Sequence, residues 1–391
     1  MADGRALRVS IASDPRARAW FYQLLLAAAV AGLGYFAWQN AVANMAARGV
    51  PVGFGFWNDT AGFDVNQTLI PFSALSTYGR AFWVGLVNTL LVGAISIVLA
   101  TPLGFAVGLA RLAPNWLLSR LALVYVELTR NTPLLLQLFF WYNAVLKTLP
   151  PPRQSLSVAG VVFLNNRALY LPRPVFGEGA WLVGAALAVA FLLAVALAVA
   201  GRRRQMETGE GSNDLWPALT LIVGLPVVAY FAAHRPIGFD VAQLRGFNFV
   251  GGTEMHLEFA ALVFGLATYT AGFIAEIVRA GVMAVPHGQS EAAAALGLRR
   301  GLALRLVVTP QALRLITPPL TSQYLNIIKN SSLAVFIGYP DLVLIFAGTV
   351  LNQTHAALQV MAVTMAVYLA ISLVVSFALN LFNARNALKE R

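Results

Sequence analysis

The stretch Pro286-His287-Gly288-Gln289-Ser290-Glu291-Ala292-Ala293-Ala294-Ala295-Leu296-Gly297-Leu298 runs on through Thr309-Pro310-Gln311 and Pro318-Pro319 to Lys329-Asn330-Ser331-Ser332-Leu333. Most of the remaining chain is apolar in long runs, whereas this stretch is small, polar and interrupted. Ser290 is placed to cap a helix, Glu291 suits its positive end, and four alanines carry the best helix propensity. Gly297 interrupts such a helix, and Pro310 limits any helix continuing beyond it. A helix of about two turns is marginal alone, since isolated helices need roughly 12–15 residues. Ala292, Ala293, Ala295 and Leu296 form a small apolar face at helical spacing. A short helix of this kind between two membrane spans is either a plain interfacial helix or one that docks into a groove on another protein.

Composition supplies the setting. Of 391 residues, 59% are hydrophobic and 11% charged, against roughly 25% charged in soluble domains. Apolar runs of about 20 residues recur, each long enough to cross roughly 30 Å of hydrocarbon as a helix. The chain reads as a polytopic, all-α membrane protein whose core lies in lipid. The formal charge of +11 is spread as arginines over short loops, which fits positive-inside topology and not a nucleic-acid patch. There is no Cys, and the four His, at 234, 256, 287 and 355, are dispersed. No metal or haem site is expected.

Glu291-Ala292-Ala293, three residues, Gly297, nine residues and then Val307-Val308-Thr309-Pro310 resemble the EAA loop of binding-protein-dependent ABC importer permeases. The flanks resemble the polar amino-acid branch (His/Glu/Gln/Arg/opine). Thr270-Ala271 and Ala275-Glu276-Ile277-Val278-Arg279 precede the loop; Pro310-Gln311-Ala312-Leu313-Arg314 and Lys329-Asn330-Ser331-Ser332-Leu333 come after it. Tyr125-Val126-Glu127-Leu128-Thr129-Arg130-Asn131-Thr132-Pro133 through Gln137 is similar to the same branch. One departure is Thr309, where the family usually has an apolar residue. The resemblance implies a type I (MetI-like) permease fold and a cytoplasmic ATPase dimer docked at Glu291, Ala292, Ala293, Leu296 and Gly297. It also implies a second homologous permease and a periplasmic amino-acid-binding protein.

Taken in order, a first span from Trp20 to Trp38 comes after Arg5, Arg8, Arg16 and Arg18. It is longer than a signal-peptide core, so it reads as a retained span. Further spans fall near 82–109, 121–146, 181–200, 216–233, 257–283, 315–337 and 357–383, giving about eight transmembrane helices. Pro102 and Gly104 should bend the second, Arg202-Arg203-Arg204 should stop the fourth, and Pro226 should interrupt the fifth. Residues 39–80, 147–178 and 234–256 read as external loops, and 338–356 as interfacial or re-entrant.

With both termini inside, cytoplasmic segments hold sixteen Lys/Arg, external segments eight and spans three, accounting for all 27; the bias supports that orientation. The organisation is then 1–80 (tail, extra first helix, external loop), 81–383 (permease domain) and 384–391 (cytoplasmic tail). Within the permease domain lie a two-helix insertion at about 148–256 and the coupling loop at about 286–312. This longer form is similar to one of the two permeases of general L-amino-acid uptake systems.

Ionisable residues at membrane depth cost roughly 2.5–3.5 kcal/mol each and are usually paired. Glu127 with Arg130, and Glu276 with Arg279, share a spacing of three that puts each pair on one helix face. Each pair either staples helices or forms a gate or a contact to a zwitterion. Lys329, Asn330 and Ser331 either meet an amino-acid carboxylate or line a helix contact. Pro133, directly after Thr132, frees a backbone carbonyl toward the pathway. Trp141 and Tyr142 read as interface-belt residues.

No Gly-x-x-x-x-Gly-Lys-Ser/Thr occurs, so nucleotide must bind elsewhere if ATP drives transport. The chain is expected to carry no catalytic residue and no cofactor. The competing reading is an ion-coupled secondary amino-acid carrier that works without an ATPase.

Overall fold

The computed structural model describes residues 15–47, 49, 53–208 and 215–386. Arg5, Arg8, Lys389 and Arg391, which bear on the topology, lie outside them. The helices are α1 (Pro15–Ala47), α2 (Tyr78–Arg111), α3 (Trp116–Asn131), α4 (Leu134–Phe139), α5 (Ala180–Thr208) and α6 (Leu215–Ala232). They continue as α7 (Leu257–Met283), α8 (His287–Ala295), α9 (Arg300–Ala303), α10 (Thr309–Asn330), α11 (Leu351–Thr354) and α12 (Ala357–Asn386).

Among the described residues, five helices are long and apolar enough to cross a bilayer: Arg18–Ala47, Tyr78–Arg111, Ala180–Gln205, Leu257–Met283 and Ala357–Leu381. The other three expected spans are a broken helix at Pro133, the short α6, and α10 with its polar residues. Several boundaries are corrected. α5 runs through the arginine triplet to Thr208, and α6 is continuous through Pro226.

Two compact units divide the chain: Met1–Ser119 with Phe273–Arg391, and Arg120–Gly272. In the first, residues 53–77 fold back onto α2 and do not form a loose external loop. Thr77 caps α2 by accepting from Arg80 N–H, and Thr60 bridges to Thr77. Trp57 packs on Phe82 (5.2 Å between centroids) and Phe82 on Phe346 (5.3 Å).

Within the ambiguous 338–356 segment, residues 342–354 are helical and partly buried, with π-type winding over Val343–Val350 leading into α11. Its apolar helix, the 12 residues Val343–Thr354, spans about 18 Å, too short to cross. Gly85 lets α2 approach Leu342 so closely that a Cβ would overlap its backbone. Thr89 Oγ1 accepts from Leu342 N–H at 3.0 Å, Asn88 Nδ2 donates to Pro340 O at 2.8 Å, and Asp341 caps the segment by accepting from Leu344 N–H at 2.8 Å.

The second unit adds short strands to an otherwise helical chain. Residues 156–176 and 237–256 form β1 (Leu156–Val158), β2 (Val162–Leu164), β3 (Ala168–Leu171), β4 (Arg173–Phe176), β5 (Ile237–Asp240), β6 (Gln243–Arg245), β7 (Asn248–Val250) and β8 (Thr253–His256). Antiparallel pairing gives the order β1-β2-β3-β8, with β4–β5 and β6–β7 as separate pairs. Ala168 opposite His256 and Arg173 opposite Asp240 join the two loops on either side of the α5–α6 hairpin into one β-module.

Phe163, Tyr170 and Phe249 stack at its centre, with Phe249 4.7 Å from Phe163 and 4.9 Å from Tyr170. Asn165 shapes the β2–β3 turn by accepting from Arg167 and Ala168 N–H. Strands of three or four residues are too short to show alternation, so the sequence reads them as loops.

Also in this unit, α3 and α4 pack along the first half of α7. Gly265 and Gly272 permit it, since a Cβ would overlap Leu138 and Thr129 respectively. Tyr125 donates to Thr268 O at 2.7 Å, and Tyr142 is buried and bonds Glu258. Tyr142 is therefore a packing residue and not part of an interface belt.

Candidate functional site: the coupling loop and the charged helix ends

α8 begins at His287, directly after Pro286, so Ser290 lies inside the helix and is not its cap. The C-terminal end is closed by geometry that only glycine favours. Gly297 sits at φ +76, Leu298 N–H returns to Ala293 O (3.1 Å) and Gly297 N–H to Ala294 O (2.9 Å). This is a Schellman closure, with glycine at the left-handed position.

The expected apolar face divides. Ala293 is buried, while Ala292, Ala295 and Leu296 are exposed, Leu296 to 81%. Glu291 is exposed as well. Gln311 Nε2 donates to Gln289 Oε1 at 3.2 Å and ties α8 to the start of α10. Pro310 does not end the helix before it: α9 passes into a π-type turn over Leu304–Val308 and on into α10. A wider turn accommodates a ring that has no N–H and would crowd the carbonyl four residues back.

The C-terminal turns of α7 carry the charge cluster. Gly108 lets α2 approach Ala275 and Val278, and Gly281 leaves room for Ile316 of α10. There Arg279 Nη2 meets Glu276 Oε1 at 2.5 Å, and Arg111, in the last turn of α2, also pairs with Glu276. The Glu276–Arg279 spacing revealed that pair. No spacing in the sequence points to Arg111, whose only local signal is its place at the end of a long apolar run.

Glu127 takes a hydrogen bond from Asn131 Nδ2 at 3.0 Å, four residues along, and Arg130 is exposed. The carbonyl freed by Pro133 is not open. Gln137 Nε2 donates to Thr129 O (2.9 Å) and to Thr132 O (3.0 Å), satisfying both acceptors at the break.

Lys329 is exposed in the last turn of α10, where its charge complements the helix dipole, and Asn330 is half-buried. Ser331 is fully buried and donates to Ile328 O at 2.7 Å. Among the described residues, no three His, Asp or Glu side chains converge as metal ligands.

A bundle of membrane-length helices, with a short glycine-closed helix between two of them and paired charges at the helix ends, defines the class as a polytopic permease. The family described as binding-protein-dependent transport system inner membrane component matches residues 214–387. The chain is 51% identical to the putative amino-acid ABC transporter permease protein YhdX of Escherichia coli K12, covering 97% of this chain and 96% of that one. It is 47% identical to the general L-amino acid transport system permease protein AapQ of Rhizobium johnstonii, over 97% and 94%. Identity is 41% to the glutamate/glutamine/aspartate/asparagine transport system permease protein BztB of Rhodobacter capsulatus, over 90% of each chain.

The chain belongs to the binding-protein-dependent ABC transporter permeases, in their amino-acid branch. It is a multi-pass inner-membrane transporter subunit and not an enzyme, and membership implies an ATPase and a substrate-binding protein as partners.

Proposed function

We propose that this chain is the membrane-spanning subunit of an ATP-driven importer of L-amino acids, with both termini in the cytoplasm. α8 docks into a groove on a separate ATPase dimer, where all ATP hydrolysis occurs. A second, homologous permease completes the pathway, and a periplasmic amino-acid-binding protein delivers substrate. The observation that carries this reading is α8 itself. A glycine-closed helix buries Ala293 against its own body and presents Ala292, Ala295 and Leu296 outward, as a helix-in-groove contact requires.

ATP-driven closure of the ATPases would move α8 and tilt the spans between inward- and outward-open states. The gate is assigned to Glu276 and Arg279 at the α8 end of α7. Glu127, Arg130, Thr132, Lys329 and Asn330 are assigned to the substrate pathway.

Affinity purification in mild detergent followed by mass spectrometry tests the assembly, and reconstituted uptake tests the energetics. An ATPase and a second permease should co-purify, and uptake should require ATP. A lone chain whose vesicles move amino acids on a proton or sodium gradient without ATP would make it a secondary carrier.

A further inference from the structure

Six of the eight Lys/Arg expected on the external side fall in 147–178 and 234–256, against three acids, Glu178, Asp240 and Glu254. That excess runs against the positive-inside trend, which thins external loops of basic residues, so topology does not explain it. Two of the acids are engaged within the module: Asp240 pairs with Arg173 at 2.9 Å and accepts from Gly252 N–H, and Glu254 accepts from Tyr170 Oη.

Arg173 pairs with Asp240, Lys147 lies over Tyr142 and Arg235 over Phe231, whereas Arg153 and Arg245 meet at the β6–β7 hairpin. Arg245 pairs with Asn248, leaving Gly246 and Phe247 as a two-residue turn with Gly246 at φ +66. The turn holds Phe247 73% exposed, with the Arg153 guanidinium 4.3 Å from its ring centroid and Arg245 beside it, also exposed. Two positions on, Phe249 is buried in the aromatic stack, so the tip stands on a fixed base.

Arginine and aromatic side chains are the types that dominate binding energy in interfaces, and a preorganised hairpin loses little entropy on binding. A bilayer would call for a broad apolar band, whereas here exposed Leu244 and Val250 are interspersed with exposed Gln243, Arg245 and Asn248.

We propose that the hairpin tip, formed by Arg153, Arg245 and Phe247, docks an acidic face of the periplasmic amino-acid-binding protein. The proposal rests on the importer reading. It gives the inserted β-module a role in receiving the loaded binding protein, separate from the coupling helix.

The test uses the assembled importer in lipid nanodiscs. Its partner is the binding protein found by co-purification, expressed alone and loaded with its amino acid. Arg153→Glu with Arg245→Glu, and separately Phe247→Ser, should each weaken binding about tenfold or more. Wild-type affinity should fall steeply with added salt and that of the double variant should not. The amount of co-purified ATPase should stay unchanged in both.

Unchanged affinity in both variants overturns the proposal. So does wild-type binding of the free chain to anionic vesicles that both variants lose while still binding the partner. Phe247→Ser replaces an exposed side chain and so guards against misfolding as the cause. A wild-type complex that binds no soluble protein would instead remove the importer reading itself.

Discussion

Glu276 holds two guanidiniums: Arg279, one turn along its own helix, and Arg111, 165 positions earlier in the chain. The pair within α7 needs only a helix. The contact with Arg111 needs α2 to lie against α7, which Gly108 permits by having no side chain. The cluster is mostly shielded, with side-chain exposures of 12% for Arg111, 25% for Glu276 and 29% for Arg279.

Glu276→Gln leaves both arginines without that carboxylate. The expected cost is about 3 kcal/mol, because an uncompensated, largely buried charge is strongly destabilising, read as a lower Tm of the purified chain. Arg279→Ala should then lower uptake more than assembly, which separates a gate from a staple. Parallel loss of both would favour the staple.

At the helix break, Gln137 serves two carbonyls at once. Gln137→Leu strands both, and thermal unfolding should report a loss of about 2 kcal/mol or more. Gln137→Glu should cost as much, since a carboxylate accepts and cannot donate. A neutral outcome for both would mean that Pro133 leaves nothing to satisfy.

Leu296, at the C-cap of α8, is 81% exposed. Leu296→Asp should leave membrane insertion intact and weaken ATPase docking by about 2 kcal/mol, or about thirtyfold. Quantitative pull-down of the ATPase measures it, and normal recovery would place the docking surface elsewhere. Gly297→Asp should abolish uptake at normal membrane abundance.

Tyr170 sets a pH limit on the β-module. Burial first, and the Glu254 charge second, push its phenol up to about 12. A folded value above the unfolded one of about 10 gives stability that is complete below pH 10. It is lost as pH rises from about 10 through about 12. The tyrosinate absorbance difference between wild type and Tyr170→Phe should show the late titration; a midpoint at the ordinary tyrosine value would rule it out.

Span positions and the Gly297 break were legible in the sequence because their causes are local. An apolar run must exceed the bilayer thickness, and a left-handed residue after a short helix favours glycine. Corrections arose mostly where a partner lies far away in the chain, with the cap at Ser290 a local exception. Ser290 is a fair cap in isolation, but Pro286 starts the helix earlier. Arg111 is an ordinary flanking charge until α2 meets α7, and Tyr142 an ordinary belt residue until α7 covers it.

By itself, then, the sequence determined a polytopic membrane protein with a short glycine-closed helix between two long ones, since run length, glycine and proline act within a few residues. Tertiary structure alone decided that residues 156–176 and 237–256 form one β-module, that 343–354 is a short, partly buried helix, and that Gln137 closes the Pro133 break. Each of these depends on pairing or shielding between groups that meet only once the chain has folded. Short strands are held by partners and not by their own pattern, and a freed carbonyl is satisfied by whichever donor the packing brings to it.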